Sequence, residues 1–174
     1  MNAFEATLAA LLKLPVYKDD LKDERKPAQL AAIALEVSRL KPPSGVGAKE
    51  WRSLVLAVGE AESGYSLRIM AGDCRPFECD RGRARSPWQM HENDHTRPFW
   101  ADLQGFVGLH VQVTQADKML KRAYFQCPRT PADVWVRPVV NAYAGKGCGG
   151  TTIAPWRGAD LRIHYWLVAW QAMG

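Results

Sequence analysis

AVGEAESGYSLRI, from Ala57 to Ile69, carries two carboxylates, Glu60 and Glu62, close to a Ser-Gly stop. The spacing predicts a helix from about Ala48 to Ser63, ended by that stop. At about 100° per residue, Trp51, Val55, Val58 and Glu62 fall in one narrow wedge, whereas Glu60 points to the opposite side. Glu62 therefore lies in line with the apolar stripe. A carboxyl group there is costly unless paired or protonated, and a half-buried carboxyl at a helix C-terminus suits a general acid. The plainer alternative is an ion pair with a nearby arginine, Arg68 or Arg83. Glu60 is expected to be a solvated surface charge.

Outward from this segment the chain reads as mainly helical. Upstream, Asn2 to Leu14 forms a first helix with Phe4, Leu8, Leu11 and Leu12 on one side, ended by Pro15. After the charged connector KDDLKDERK, a second helix runs from Pro27 to Leu40 with Leu30, Ile33, Ala34 and Val37 at helical spacing, until KPPSGVG breaks it. Downstream, Gly72 to Pro98 is rich in Gly, Pro, Arg and Asp without sustained period, which predicts loop or short strands and turns. Helical spacing resumes from about Gly105 to Phe125, from Ala132 to Tyr143 and from Ala159 to Met173, with AGKGCGG between the last two. There is no internal repeat. The 174 residues, 47% apolar with seven tryptophans, suffice for one sizeable core. One compact unit is expected, in which residues 1–45 pack on residues 46–174.

Lys plus Arg exceed Asp plus Glu by 23 − 18 = 5, which favours polyanionic partners without choosing among nucleic acid, lipid headgroups and cell-wall polymers. No apolar run approaches the roughly 20 residues of a membrane span. Glu5 and Lys13 make the start read as a folded helix and not as a signal peptide.

Glu62-Ser63-Gly64-Tyr65 resembles the Glu-Ser-Gly-aromatic signature of the lysozyme-like superfamily, especially soluble lytic transglycosylases and phage muramidases. RGRARSPWQM resembles the family's Gly-Ala-x-Gly-Leu-Met-Gln block, with Ala84 on the alanine, Ser86 on the second glycine and Gln89 on the glutamine. NAYAGKG resembles its Tyr-Asn-x-Gly element, with Tyr143 as the tyrosine. The three arrive in the family's order between Trp51 and Gly147. Arg83 stands where the family has glycine, Pro87-Trp88 replaces Leu-Met, and the asparagine after the tyrosine is missing. The resemblance implies a mainly α, α+β lysozyme-like fold, with an irregular loop or small β-hairpin between the catalytic helix and the core helices. It also implies a glycosidase that cleaves peptidoglycan between N-acetylmuramic acid and N-acetylglucosamine, without a cofactor, with Glu62 protonating the glycosidic oxygen.

Such cleavage needs a proton donor and a way to stabilise an oxocarbenium-like centre. Asp73, in AGDC, sits about where hydrolytic phage muramidases place a second acid; its alternative is a turn residue bonding local amides. Asp80 reads as an ion-pair partner. Without a second acid, a sugar hydroxyl would close a 1,6-anhydro ring, as in lytic transglycosylases. Ser86 and Gln89 are candidate donors to an acetamido or hydroxyl group, or else bond the backbone of their loop. Tyr143 either holds the acetamido group or packs in the core. Trp88 is placed to stack on a sugar ring. Trp51, Trp166 and Trp170 should be packed inside, whereas Trp100 and Trp156 are candidates to line a groove. Arg75, Arg81, Arg83 and Arg85 would meet wall carboxylates or solvate the surface.

Cys74, Cys79, His91 and His95 have nearly the spacing of a two-Cys two-His zinc module, and with the positive charge this supports a rival nucleic-acid binder. The intervening DRGRARSPWQM holds arginines and a proline where a finger needs apolar residues, so no metal is expected. The favoured pairing is Cys74 with Cys79 and Cys127 with Cys148; four cysteines allow three pairings, and free thiols are the alternative. A cell-wall enzyme with paired cysteines and no export signal implies a phage route, through membrane lesions to the periplasm or as a virion or tail component. A wall-binding module that kept the fold and lost the chemistry is the non-enzymatic alternative.

Overall fold

The computed structural model describes residues 1–15, 22–70, 84–91, 106–127, 135–145, 147–149 and 159–174. Its elements are helices α1 (Ala3–Lys13), α2 (Arg25–Ser38), α3 (Ala48–Ser63) and α4 (Leu67–Met70), strands β1 (Ala84–Arg85) and β2 (Met90–His91), and helices α5 (Phe106–Gln126), α6 (Val136–Tyr143) and α7 (Ala159–Ala172). The described part is mainly helical, as the periodicity predicts. No helix among the described residues is long and apolar enough to cross a membrane.

Helix α1 begins with a capping box: Asn2 accepts from the Glu5 amide at 2.9 Å, and Glu5 accepts from the Asn2 amide at 3.0 Å. Its packed face holds Ala10 and Leu11, with Phe4 and Leu8 partly buried. Leu12, expected on that face, is exposed, because it lies about 100° beyond Leu11. Helix α2 starts two residues before Pro27, which keeps the proline in the first turn where no amide partner is lost.

Helix α3 runs from Ala48 to Ser63, the predicted span, and lies at the centre. Helices α1, α2, α5 and α7 all pack against it, α7 most extensively. From Ser53 to Glu60 every residue is buried. A helix covered on all sides has no wet face. Glu60 is therefore 5% exposed, which corrects the expected surface charge.

The tryptophans follow from the same arrangement. Trp51 is fully buried, stacked on Trp135 at 6.0 Å between ring centres, and its indole N–H donates to Asp117 Oδ1 at 2.7 Å. Asp117 also accepts from Lys121 at 2.7 Å, so the buried carboxylate is satisfied by two donors. Trp166 is half-buried and donates to the Glu50 carbonyl at 3.0 Å. Trp170, expected inside, is 36% exposed and carries the Lys49 ammonium over its ring at 4.4 Å. One apolar cluster runs from Ala10 to Met173, so residues of the first 45 share the core of the rest.

Cys127, just past α5, is bonded to Cys148 across 21 residues of sequence, as the favoured pairing has it. The bridge encloses α6 and fastens both ends of the segment that carries Tyr143. Cys74 and Cys79 lie outside the described residues.

Loop-closure entropy predicts that the double variant C127A/C148A loses about 3 kcal/mol of unfolding free energy. Urea unfolding of the two proteins measures the difference, and equal midpoints would deny the bridge a constraining role.

Candidate active site

The end of α3 is shaped by one side chain folding back. Gly64 terminates the helix in the left-handed region, at φ 56° and ψ 21°, and its amide donates to the Glu60 carbonyl at 2.8 Å. Tyr65 follows at φ 52°, with its amide held by Ser63 Oγ at 3.0 Å. Its ring then lies back along α3, fully buried, and its hydroxyl donates to the Leu56 carbonyl at 2.8 Å. The space for it is the missing side chain of Gly59, where a Cβ would come within 2.5 Å of the tyrosine oxygen. Alanine gains about 1 kcal/mol over glycine in helix propensity, but overpacking against a buried ring costs about 1–3 kcal/mol, so the clash wins.

The second motif is a tight hairpin. Ala84 pairs with His91 and Arg85 with Met90, antiparallel, and Ser86-Pro87-Trp88-Gln89 is the turn between them. The Gln89 amide donates to the Ser86 carbonyl at 3.1 Å, and Ser86 Oγ accepts from the Trp88 amide at 3.3 Å. Ser86 and Gln89 stand at φ 69° and 48°. With Tyr65 they are the non-glycine residues at positive φ among the described residues, and all three belong to the two motif segments. Such backbone strain collects where a site needs it.

The structure uses two of the predicted site residues differently. Trp88 is fully buried: its ring meets Tyr65 edge-on at 6.2 Å and its indole N–H donates to the Val55 carbonyl at 2.9 Å. It anchors the hairpin to α3 and presents no face to a sugar. Ser86 is 3% exposed and spends its hydroxyl on the turn, so it is a backbone former and not a ligand donor.

Glu62, Gln89 and Tyr143 do come together. They line one groove of about 430 Å³ with Met119, Ala144 and Arg162, floored also by Gly145. Tyr143, at the end of α6, donates to the Trp88 carbonyl at 2.7 Å and so ties the third motif to the second. Burial first, and then the Glu62 charge, push its phenol well above the usual tyrosine range, an effect opposed by Arg162. Gln89 turns its amide nitrogen partly to the Ser86 carbonyl at 3.2 Å. Glu62 is 20% exposed and accepts a hydrogen bond at Oε1 from Arg162 Nη2. The arginine partner anticipated for Glu62 was a neighbour in sequence; the one found is a hundred residues away on α7.

Arg162 and Met119 were not singled out by sequence reasoning. Both sit at ordinary helical positions, and no local pattern marks either. Asp73, Asp80, Arg75, Arg81, Arg83, Trp100 and Trp156 lie outside the described residues, as do the side chains of Cys74, Cys79, His91 and His95 from the zinc spacing. Among the described residues no cluster of three or more His, Cys, Asp or Glu could hold a metal ion, and Glu62 is the carboxylate that lines the groove.

No protein-family model, curated protein or solved structure matches the chain.

Glu60, on the other flank of α3, is a separate matter. Burial raises its carboxyl from 4.5 to about 7, against the opposing charge of Lys26, and Oε2 has no hydrogen-bond partner among the described residues. Lys26 is itself buried and donates to the Tyr65 carbonyl. Burial first, and then the charge of Glu60, raise the phenols of Tyr65 and of Tyr165 on α7.

Because Glu60 holds its proton in the folded protein to about pH 7 while the unfolded chain releases it near its ordinary value, stability falls as pH rises through that window. The loss is on the order of 2–3 kcal/mol. Glu60→Gln should abolish that slope and leave the protein more stable than the parent at pH 8. Urea midpoints measured from pH 4 to pH 8 would rule this out if both proteins declined in parallel. Gly59→Ala, on the neighbouring turn, should lower the unfolding midpoint despite its better helix propensity, and a rise would refute the packing of Tyr65 against it.

Proposed function

We propose that the protein is a peptidoglycan-cleaving glycosidase with a lysozyme-like α+β fold, breaking the β-1,4 bond between N-acetylmuramic acid and N-acetylglucosamine. Glu62 is its general acid. The reading rests on one observation: the three segments that resemble the superfamily's motifs, far apart in sequence, bring Glu62, Gln89 and Tyr143 to the same groove. Ser86 adds weight, since it aligns with a family glycine and adopts the left-handed backbone that glycine favours.

In this reading a glycan strand lies along the groove, and Glu62 passes its proton to the glycosidic oxygen as the C1–O bond breaks. The positive centre left at C1 is then captured by water, giving a reducing sugar, or by the 6-hydroxyl of the same residue, giving a 1,6-anhydro sugar, and the proton that the attacking oxygen loses returns to the Glu62 carboxylate. Asp73 is the candidate second acid for the first route. Gln89 lines the groove and is the candidate amide donor to the acetamido group. Tyr143 holds the groove's wall through Trp88 and offers its oxygen lone pairs. The net charge of +5 favours approach to an anionic wall. A phage origin, acting in the periplasm or from the virion, accommodates the Cys127–Cys148 disulfide.

A wall-binding module without catalysis is the second reading. It is favoured by the structural use of Ser86 and Trp88 in place of sugar contact.

Purified sacculi separate the two. The parent should clear them and release soluble muropeptides, Glu62→Gln should be slower by at least about 10²-fold, the lower range for loss of a general acid, and Glu60→Gln should stay near the parent. An E62Q protein that clears sacculi at the parental rate sinks the enzyme reading. Mass spectrometry of the products assigns the route, because the two sugars differ by one water.

A further inference from the structure

Arg162 lies beyond every motif segment, yet its side chain is 8% exposed and reaches the groove from α7. Its Nη2 donates to Glu62 Oε1, while no described residue bonds Glu62 Oε2. Glu62 stands in the last turn of its helix, with three rotatable side-chain bonds and partial solvent access, so packing alone leaves its carboxyl several rotamers. The guanidinium selects one of them. Helix α7 packs along the length of α3, so donor and acceptor are both mounted on rigid elements.

Stability does not account for the pair. A partly buried ion pair is often no better for folding than apolar residues of the same volume, because desolvating the charges offsets their attraction. A guanidinium is also unable to take the proton that a general acid must deliver to its substrate, since it remains charged throughout the working range. Held at Oε1, the carboxyl group keeps Oε2 as the only oxygen able to carry and donate a proton into the groove.

We infer that Arg162 is the positioning residue of the site: by fixing Glu62 Oε1 it aims Oε2 at the glycosidic oxygen. This inference rests on the glycosidase reading above. The arginine touches the acid and not the bond that breaks. Its removal therefore affects the turnover step more than the binding of the strand.

The test uses soluble, uncrosslinked glycan strands released from peptidoglycan, with the parent chain, Arg162→Met and Arg162→Lys. Misplacing a catalytic group by about 1 Å costs on the order of 10²-fold, so R162M should lose about that in kcat while KM stays within about threefold. R162K, which restores one donor, should recover about tenfold of it. Melting curves establish that each variant is folded, and Arg162→Gln replaces R162M should the latter fail to fold. A neutral variant that keeps the parental kcat, or a lysine variant no faster than the methionine one, overturns the inference while leaving the glycosidase reading intact. A folded parent that releases no muropeptides from sacculi or strands removes both.

Discussion

The molecule turns on the return of Tyr65 against the helix it has just left. Gly59 leaves a gap in α3, Gly64 supplies the left-handed step, and the phenol closes the gap with its hydroxyl on Leu56. That fold-back ends α3 at a defined residue, and Glu62 is thereby placed in its last turn, beside open space. The edge of Tyr65 also receives Trp88, so the hairpin is docked by the side chain that stops the helix.

From Trp88 the order propagates outward. Its indole is bonded to Val55 and its carbonyl to Tyr143, so a single buried tryptophan connects the central helix, the hairpin and α6. The Cys127–Cys148 bridge closes the segment around α6. The groove is the space left where these three meet, with α5 contributing Met119 and α7 contributing Arg162. The wall is held by buried hydrogen bonds, which have fixed direction, while apolar burial supplies most of the favourable free energy.

The central position of α3 also has a cost. A helix surrounded by four others must bury whatever its sequence holds, and here that includes Glu60 beside Lys26. A carboxyl that stays protonated to near neutrality makes the fold less stable as pH rises. The same burial gives the last turn its rigidity, so the part of α3 that carries Glu62 gains definition from a neighbourhood that is expensive to maintain.

The amino-acid sequence by itself determined the helices other than the one-turn α4. The span of α3 was legible to the residue, and α5 and α7 to within a residue or two at their ends, because helical periodicity and Gly or Pro stops are local properties. It also pointed to Glu62, Gln89 and Tyr143, since each sits in a short recognisable pattern. Tertiary structure alone decided which faces were wet. Trp88, expected against a sugar from its place beside Gln89, is instead buried edge-on to Tyr65. Counting 100° steps placed Glu60 outside and Trp170 and Leu12 inside, and each was reversed, because a helical wheel shows which residues share a face and not how many neighbours cover the helix. The partner of Glu62 was beyond local reading for the same reason. Arg162 meets it through the packing of α7 on α3, a contact between residues a hundred positions apart that no spacing in the chain encodes.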